Sequence, residues 1–172
     1  MPVFISYRHL DREKAREIAR KFDENRISYY FDMIDDESKS TDDITTVITK
    51  NIKKSTHLLA IISPNTNGSW WVPFEIGEAT ITNRRICSYA YKQYTQIHRP
   101  LLQYNYKSFL PEYLHKWPIL LSNDDLDAFI QQYKRDKLLF ESSISMESRG
   151  SDFTSLTKNG AEKFHDELKK ML

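Results

Sequence analysis

His57–Leu58–Leu59–Ala60–Ile61–Ile62–Ser63, followed after a short polar loop by Ser69–Trp70–Trp71–Val72–Pro73–Phe74–Glu75–Ile76–Gly77–Glu78–Ala79, is the stretch on which the fold turns. The first run is apolar without alternation, as a parallel strand covered on both faces is. The second reads as a helix. Pro73 lacks an N–H and fits the first turn, where amide donors have no internal partners. Glu75 then falls near the helix N-terminus, with Trp70 and Trp71 just upstream. A carboxylate walled by aromatic rings at the end of a strand is a candidate active-site group. The same residues also read as a dipole-complementing or capping Glu75 beside a core Trp71.

On the N-terminal side, Val3–Phe4–Ile5–Ser6–Tyr7 is a short apolar run, read as a central buried strand. Tyr7 to Asp11 make the loop after it. Residues 12–25 form an amphipathic helix, with Ala15, Ile18, Ala19 and Phe22 at helical spacing and Asp11 as N-cap. Ile27–Ser28–Tyr29–Tyr30–Phe31–Asp32 is a second strand, rich in aromatic β-formers. An acidic loop follows, with Asp32, Asp35, Asp36, Glu37, Asp42 and Asp43. Thr41 or Asp42 caps a helix striped by Ile44, Val47, Ile48 and Ile52.

On the other side, the helix after the tryptophans runs on to Asn83, and Ile86–Cys87–Ser88–Tyr89–Ala90–Tyr91 is a fourth strand. Strand and helix in alternation imply an α/β fold: a parallel sheet of about five strands with helices on both faces. In such sheets ligands bind beyond the carboxyl ends of the strands. Those ends carry Tyr7 and Arg8, Asp32, and residues 63–71. Residues 92–117 read as irregular with a short helical piece. Pro118–Ile119–Leu120–Leu121–Ser122 reads as a short edge strand because of its proline. Asn123 or Asp124 caps a helix bearing Leu126, Phe129, Ile130 and Tyr133 on one face. Serine-rich residues 139–158 read as loop, and 160–172 as a short helix with Phe164, Leu168 and Met171 inward. The expected division is a domain over 1–138 and a C-terminal extension over 139–172, its loop and short helix packed on that domain.

The 172 residues are 40% hydrophobic and 28% charged, which describes a soluble globular protein. A net charge of +1 offers no field for nucleic acid or an anionic membrane. The start of the sequence lacks a basic segment before a long apolar run, and no run reaches membrane-span length, so the expected location is the cytoplasm. Cys87 is the single cysteine, which excludes an intrachain disulfide and a four-cysteine zinc site. The five histidines show no metal-ligand spacing, and no metal is expected. With glycine only at 68, 77, 150 and 160, no glycine-rich phosphate loop can form. A bound nucleotide would rely on arginine or helix N-termini.

Four segments together resemble the Toll/interleukin-1 receptor (TIR) domain family. They are Val3–Phe4–Ile5–Ser6–Tyr7–Arg8; the second strand with its acidic loop; the apolar strand ending at Ser63; and Ser69-x-Trp71-x-x-x-Glu75, with Val72 where the family pattern often has cysteine. Order and spacing agree over roughly residues 2–125. The long loop after strand two lacks the glycine or proline often found there, and residues 89–117 are unfamiliar. The resemblance implies a flavodoxin-like TIR fold. It also implies cleavage of NAD+ at the nicotinamide–ribose bond, with Glu75 as the catalytic residue and NAD+ as substrate rather than cofactor. Stand-alone bacterial members of this type serve in Thoeris-like anti-phage defence. They make a cyclic ADP-ribose signal that a separate effector protein senses, and they self-associate through TIR surfaces.

The chemistry suits one carboxylate. Nicotinamide leaves as a neutral molecule, so no general acid is needed, unlike ordinary glycoside hydrolysis. An ionised Glu75 can hold the ribose hydroxyls and stabilise the oxocarbenium-like transition state. Trp70 or Trp71 can stack on a planar base, Arg8 can pair with the pyrophosphate, Ser6 and Tyr7 can line the pocket, and Asp32 can bind a ribose hydroxyl. Each also has a plain structural reading: Arg8 in solvent, Ser6 and Tyr7 ending a strand, Asp32 in a turn. Glu78 is a rival carboxylate that matches no motif. Three other readings stay open: plain NAD+ depletion, a non-catalytic TIR adaptor, and a generic flavodoxin-like domain. A Glu75 side chain turned into the protein interior, or away from any cleft shared with the first loop, would sink the enzymatic reading.

Overall fold

The computed structural model describes residues 1–31, 41–91, 109–146 and 153–172. Five strands, β1 (Val3–Ser6), β2 (Tyr29–Phe31), β3 (His57–Ile62), β4 (Arg85–Ala90) and β5 (Ile119–Leu120), form one parallel sheet in the order β2-β1-β3-β4-β5. The helices are α1 (Arg12–Glu24), α2 (Thr41–Lys54), α3 (Trp71–Ile81), α4 (Asn123–Met146) and α5 (Phe153–Met171). This is the α/β, flavodoxin-like architecture that the alternating pattern implies. The runs without alternation, β1, β3 and β4, are wholly buried, while the residues of β2 at one edge are half-buried.

The pleat sorts the core into two layers. Val3, Ile5 and Tyr7 pack with Phe22 of α1, Phe129 of α4 and Phe164 of α5. Phe4, Leu58, Ala60 and Ile62 pack with Ile48 and Ile52 of α2 and Val72, Ile76 and Ala79 of α3. Ser6, two residues beyond Phe4, shares the α2/α3 side by the same alternation. Burying each of these large side chains contributes about 1.5–3 kcal/mol.

The structure departs from the sequence reading in several places. α4 continues to Met146 and α5 begins at Phe153, where 139–158 reads as loop. Serine costs a helix only about 0.5 kcal/mol per residue relative to alanine. That is too little to end a helix growing from a packed stem. The expected boundary at 138/139 therefore falls inside α4, and Phe164 and Leu168 of α5 belong to the same core as β1. α4 is capped by neither Asn123 nor Asp124. Ser122 Oγ accepts from Asp125 N–H at 3.1 Å, and Asp125 Oδ2 accepts from the amides of Leu121 and Ser122 at 2.7 and 3.1 Å. Residues 32–40, most of the acidic loop, and 92–108 lie outside the described residues, as do 147–152 of the serine-rich stretch.

At the amino ends of β3 and β4 sits a buried polar cluster. His57 lies among the rings of Phe129, Tyr133 and Phe164, with Nε2 3.6 Å from Asp136 Oδ2. Arg85 Nε approaches the same oxygen at 2.5 Å. His165 Nε2 accepts from the amide of Ile86 at 2.8 Å. Burial, reinforced by Arg85, holds His57 well below the ordinary histidine range. Gly160 faces this cluster, and a Cβ there would meet Arg85 Nη2 at 2.5 Å.

Candidate active site

The inner face of α3 carries Val72, Glu75, Ile76 and Ala79, a spacing of i, i+3, i+4, i+7 with one carboxylate in it. Glu75 has no accessible surface, and Oε2 accepts a hydrogen bond from Ser6 Oγ at the end of β1. Sheet register makes the room. Ser6 pairs laterally with Ala60, and Ala60 with Ser88, so three small residues cross β1, β3 and β4 in one row. Ser88 is also fully buried, and its hydroxyl has no hydrogen-bond partner among the described residues.

Glu75 is the fifth residue of α3, not a first-turn residue. The helix dipole acts mainly within the first turn. Its contribution at Glu75 is therefore small beside the hydrogen bond from Ser6. The first turn is closed instead by Ser69, whose Oγ accepts from the amide of Val72 at 3.4 Å. The serine of the Ser69-x-Trp71-x-x-x-Glu75 pattern is thus a cap.

The remaining candidates separate. Tyr7 packs in the other core layer, its ring edge-on to Phe31 at 5.8 Å, so the sheet lies between it and the α3 side. Arg8 Nη1 donates to the carbonyls of Asn65 and, at 2.8 Å, Asn67. Its guanidinium ties the first loop to the loop after β3. Trp70 is 89% exposed on the outside of α3. Trp71 is half-buried, edge-on to Phe74 at 6.0 Å, and precedes Glu75 by one turn. Glu78 is half-buried on the flank of the helix. Asp32 lies outside the described residues.

One group that the sequence reading casts only as an N-cap organises the rim. Asp11 makes no capping bond. Its buried carboxylate accepts from Ser63 Oγ at 2.8 and 2.9 Å, Asn65 Nδ2 at 2.8 Å and Tyr91 OH at 2.7 Å. The first loop is thereby fastened to the ends of β3 and β4. Burial, then the Asp11 carboxylate, pushes the Tyr91 phenol well up, so it stays a proton donor. The only sequence signal was that Ser63 and Tyr91 lie at strands' carboxyl ends and that Asp11 falls in the loop after β1.

A groove of about 690 Å³ opens beside the first turn of α3, lined among others by Ile62, Pro64, Ser69, Val72, Phe109 and Tyr113. Neither Ser6 nor Glu75 lines it. Val72 lies one turn before Glu75, so the open space and the closed carboxylate adjoin along α3 without merging. Among the described residues no three histidine, cysteine, aspartate or glutamate side chains are grouped to hold a metal ion. Cys87 is buried, and burial raises its thiol well above the usual range. No helix among the described residues is long and apolar enough to cross a membrane.

No protein of curated function matches the sequence. Among solved structures, the chain is similar to the 2-deoxyribosyltransferase of the psychrotolerant bacterium Bacillus psychrosaccharolyticus, at 10% identity over 73% of this chain and 90% of that one, with a TM-score of 0.47. It is similar to the 2-desoxiribosyltransferase of Leishmania mexicana at 15% identity over 66% and 75% of the two chains, with a TM-score of 0.43. It is also similar to the TIR domains of the activated Roq1 resistosome, at 15% identity over 94% and 83%, with a TM-score of 0.42. The family model described as "TIR domain" matches residues 3–132, a span that runs from β1 into α4 and includes Ser6, Ser69, Trp71 and Glu75. The chain belongs to the TIR domain family.

Proposed function

We propose that this TIR domain cleaves NAD+ at the nicotinamide–ribose bond, with Glu75 as its catalytic carboxylate. One observation carries the reading: Glu75 stands in the apolar face of α3, over a row of small residues, held by Ser6 at the carboxyl end of the central strand β1. A fold gains nothing from a carboxylate there that an apolar side chain would not supply more cheaply.

In the reaction, the carboxylate faces the ribose and stabilises positive charge as the C–N bond to the pyridinium breaks. Ser6 positions the carboxylate. Nicotinamide departs neutral, taking the bonding electrons, so no proton is delivered to it. The ribosyl cation is then captured by water, giving ADP-ribose, or by an internal nucleophile, giving a cyclic ADP-ribose isomer. We favour the cyclic product, acting in the cytoplasm of a bacterial cell as an anti-phage signal read by a separate effector.

Glu75 is turned into the interior and does not line the groove beside α3, the outcome named above as telling against the enzymatic reading, so turnover requires the packing around the carboxylate to open. The same observation favours a second reading, a TIR module that assembles without catalysis, with Glu75 a packed structural residue and Arg8 a loop brace. Incubation with NAD+, with nicotinamide and products followed by chromatography, separates the two. Wild type is expected to release nicotinamide and Glu75→Gln to release none. Absence of turnover by wild type, also with crowding agents and infected-cell lysate, would favour the assembly module. ADP-ribose as sole product would overturn the cyclic assignment.

A further inference from the structure

Ser88 of β4 has no accessible surface, and among the described residues its Oγ has no hydrogen-bond partner. A buried hydroxyl without a partner costs stability that alanine at the same place would not. In folded proteins such groups are satisfied, by ordered water where no protein group reaches them.

Its position limits what it can serve. Ser88 pairs laterally with Ala60, and Ala60 with Ser6, and by the pleat all three face the α2/α3 side. Other buried polar side chains are engaged elsewhere. His57 and Arg85 point to the opposite layer, where Gln132 of α4 also lies, and Ser55 Oγ donates to the carbonyl of Asn51 at 2.8 Å. In the apolar layer around Ser88, the polar company is the pair of Ser6 and Glu75. α3 packs on both β3 and β4, so the side chain of Glu75 that reaches Ser6 on β1 crosses over Ala60. Neighbouring strands are about 4.8 Å apart, which sets Ser6 and Ser88 about 10 Å from each other across β3. Hydrogen bonds between oxygens run about 2.7–2.8 Å. A carboxylate bonded directly to both hydroxyls falls short of that span, and one water between the carboxylate and Ser88 makes up the difference.

We propose that Ser88 is a second positioning residue for Glu75, donating to its carboxylate through one buried water. The carboxylate is then held from β1 on one side and from β4 on the other. The link itself does not depend on NAD+ cleavage; its effect on rate rests on that reading. Urea denaturation at pH 7 of wild type, Ser88→Ala, Glu75→Met and the double variant tests the link. Ser88→Ala should lower the wild-type midpoint by about 0.5 M. In Glu75→Met the water has no carboxylate to bridge, and Ser88→Ala should leave the midpoint unchanged or raise it. A Ser88→Ala that fails to lower the wild-type midpoint, or lowers both midpoints alike, overturns the link. So does a high-resolution crystal structure with no water joining Ser88 Oγ to Glu75. In nicotinamide release, Ser88→Ala should lower kcat about tenfold and move KM by less than about twofold. Ser88→Cys keeps the volume but has only a weak S–H donor, and should fall likewise. An unchanged kcat in Ser88→Ala, or a Ser88→Cys equal to wild type, overturns the positioning role. The urea comparison decides the link even where wild type releases no nicotinamide, so the two readings fail separately.

Discussion

The pairing of Ser6 with Glu75 can be weighed by a double-mutant cycle. Both side chains have no accessible surface, so neither can exchange its partner for bulk water without the packing opening. Leaving a buried polar group without its hydrogen-bond partner costs about 1–3 kcal/mol. Ser6→Ala alone should therefore cost about 2–3 kcal/mol. Glu75→Met replaces the carboxylate by an apolar group of similar length. Because the desolvation cost disappears with the charge, this change should be neutral or stabilising, by up to about 2 kcal/mol. In the Glu75→Met background the hydroxyl of Ser6 has lost this acceptor, and Ser6→Ala should then cost less than about 1 kcal/mol. The coupling energy expected is thus about 1.5–2 kcal/mol. Urea denaturation at pH 7, followed by far-UV circular dichroism on the four proteins, measures it. A coupling below about 0.5 kcal/mol, within ordinary additivity error, would refute the claim that Ser6 holds the carboxylate. A strongly destabilised Glu75→Met would refute the claim that the charge is a burden to the fold. A stabilised one that also loses nicotinamide release would show stability given up for function.

Three other outcomes are expected. Tyr91→Phe removes one donor to Asp11 and should cost about 1–2 kcal/mol, whereas Asp11→Ala strips the acceptor from Ser63, Asn65 and Tyr91 together and should cost about 3–5 kcal/mol by the same denaturation assay. Gly160→Ala drives a methyl to 2.5 Å from the Arg85 guanidinium beside Asp136 and should cost about 1–3 kcal/mol, readable as a lowered urea midpoint with unchanged slope. Burial, then the Lys169 and Arg85 charges, lowers His165 from 6.5 to about 4, so the unfolded chain binds the extra proton between those values. The stability from neutral His165 is complete above pH 6.5 and is lost as pH falls towards 4. The loss at pH 5 is about 2 kcal/mol. Asp136, raised by burial, opposes this in part, because its folded form takes up a proton more readily. A urea midpoint that does not fall between pH 7 and 5 would contradict the net sign.

Much of the architecture is legible in the residues because it depends on local pattern. Apolar runs without alternation at 3–6, 57–62 and 85–90 are the three central strands, and the stripe of Ala15, Ile18, Ala19 and Phe22 is the core face of α1. Pro118 places the last strand at the edge, where β5 lies. The serine-rich end of α4 misleads because composition reports propensity, and propensity yields to a helix already docked through Phe129 and Tyr133.

Local pattern in the residues sets the order of strands and helices, rules out a glycine-rich phosphate loop, and shows Ser6, Trp71 and Glu75 in the motifs that resemble the family. Which side of α3 faces the sheet follows from packing between distant segments. Both sides are apolar, so hydrophobic periodicity could not choose between Trp70, Phe74 and Ile81 on one and Val72, Ile76 and Ala79 on the other. Strand register chose. It lined up Ser6, Ala60 and Ser88 across three strands to leave space for a carboxylate, and it brought the end of β1 to Glu75, 69 residues along the chain, which no local pattern encodes.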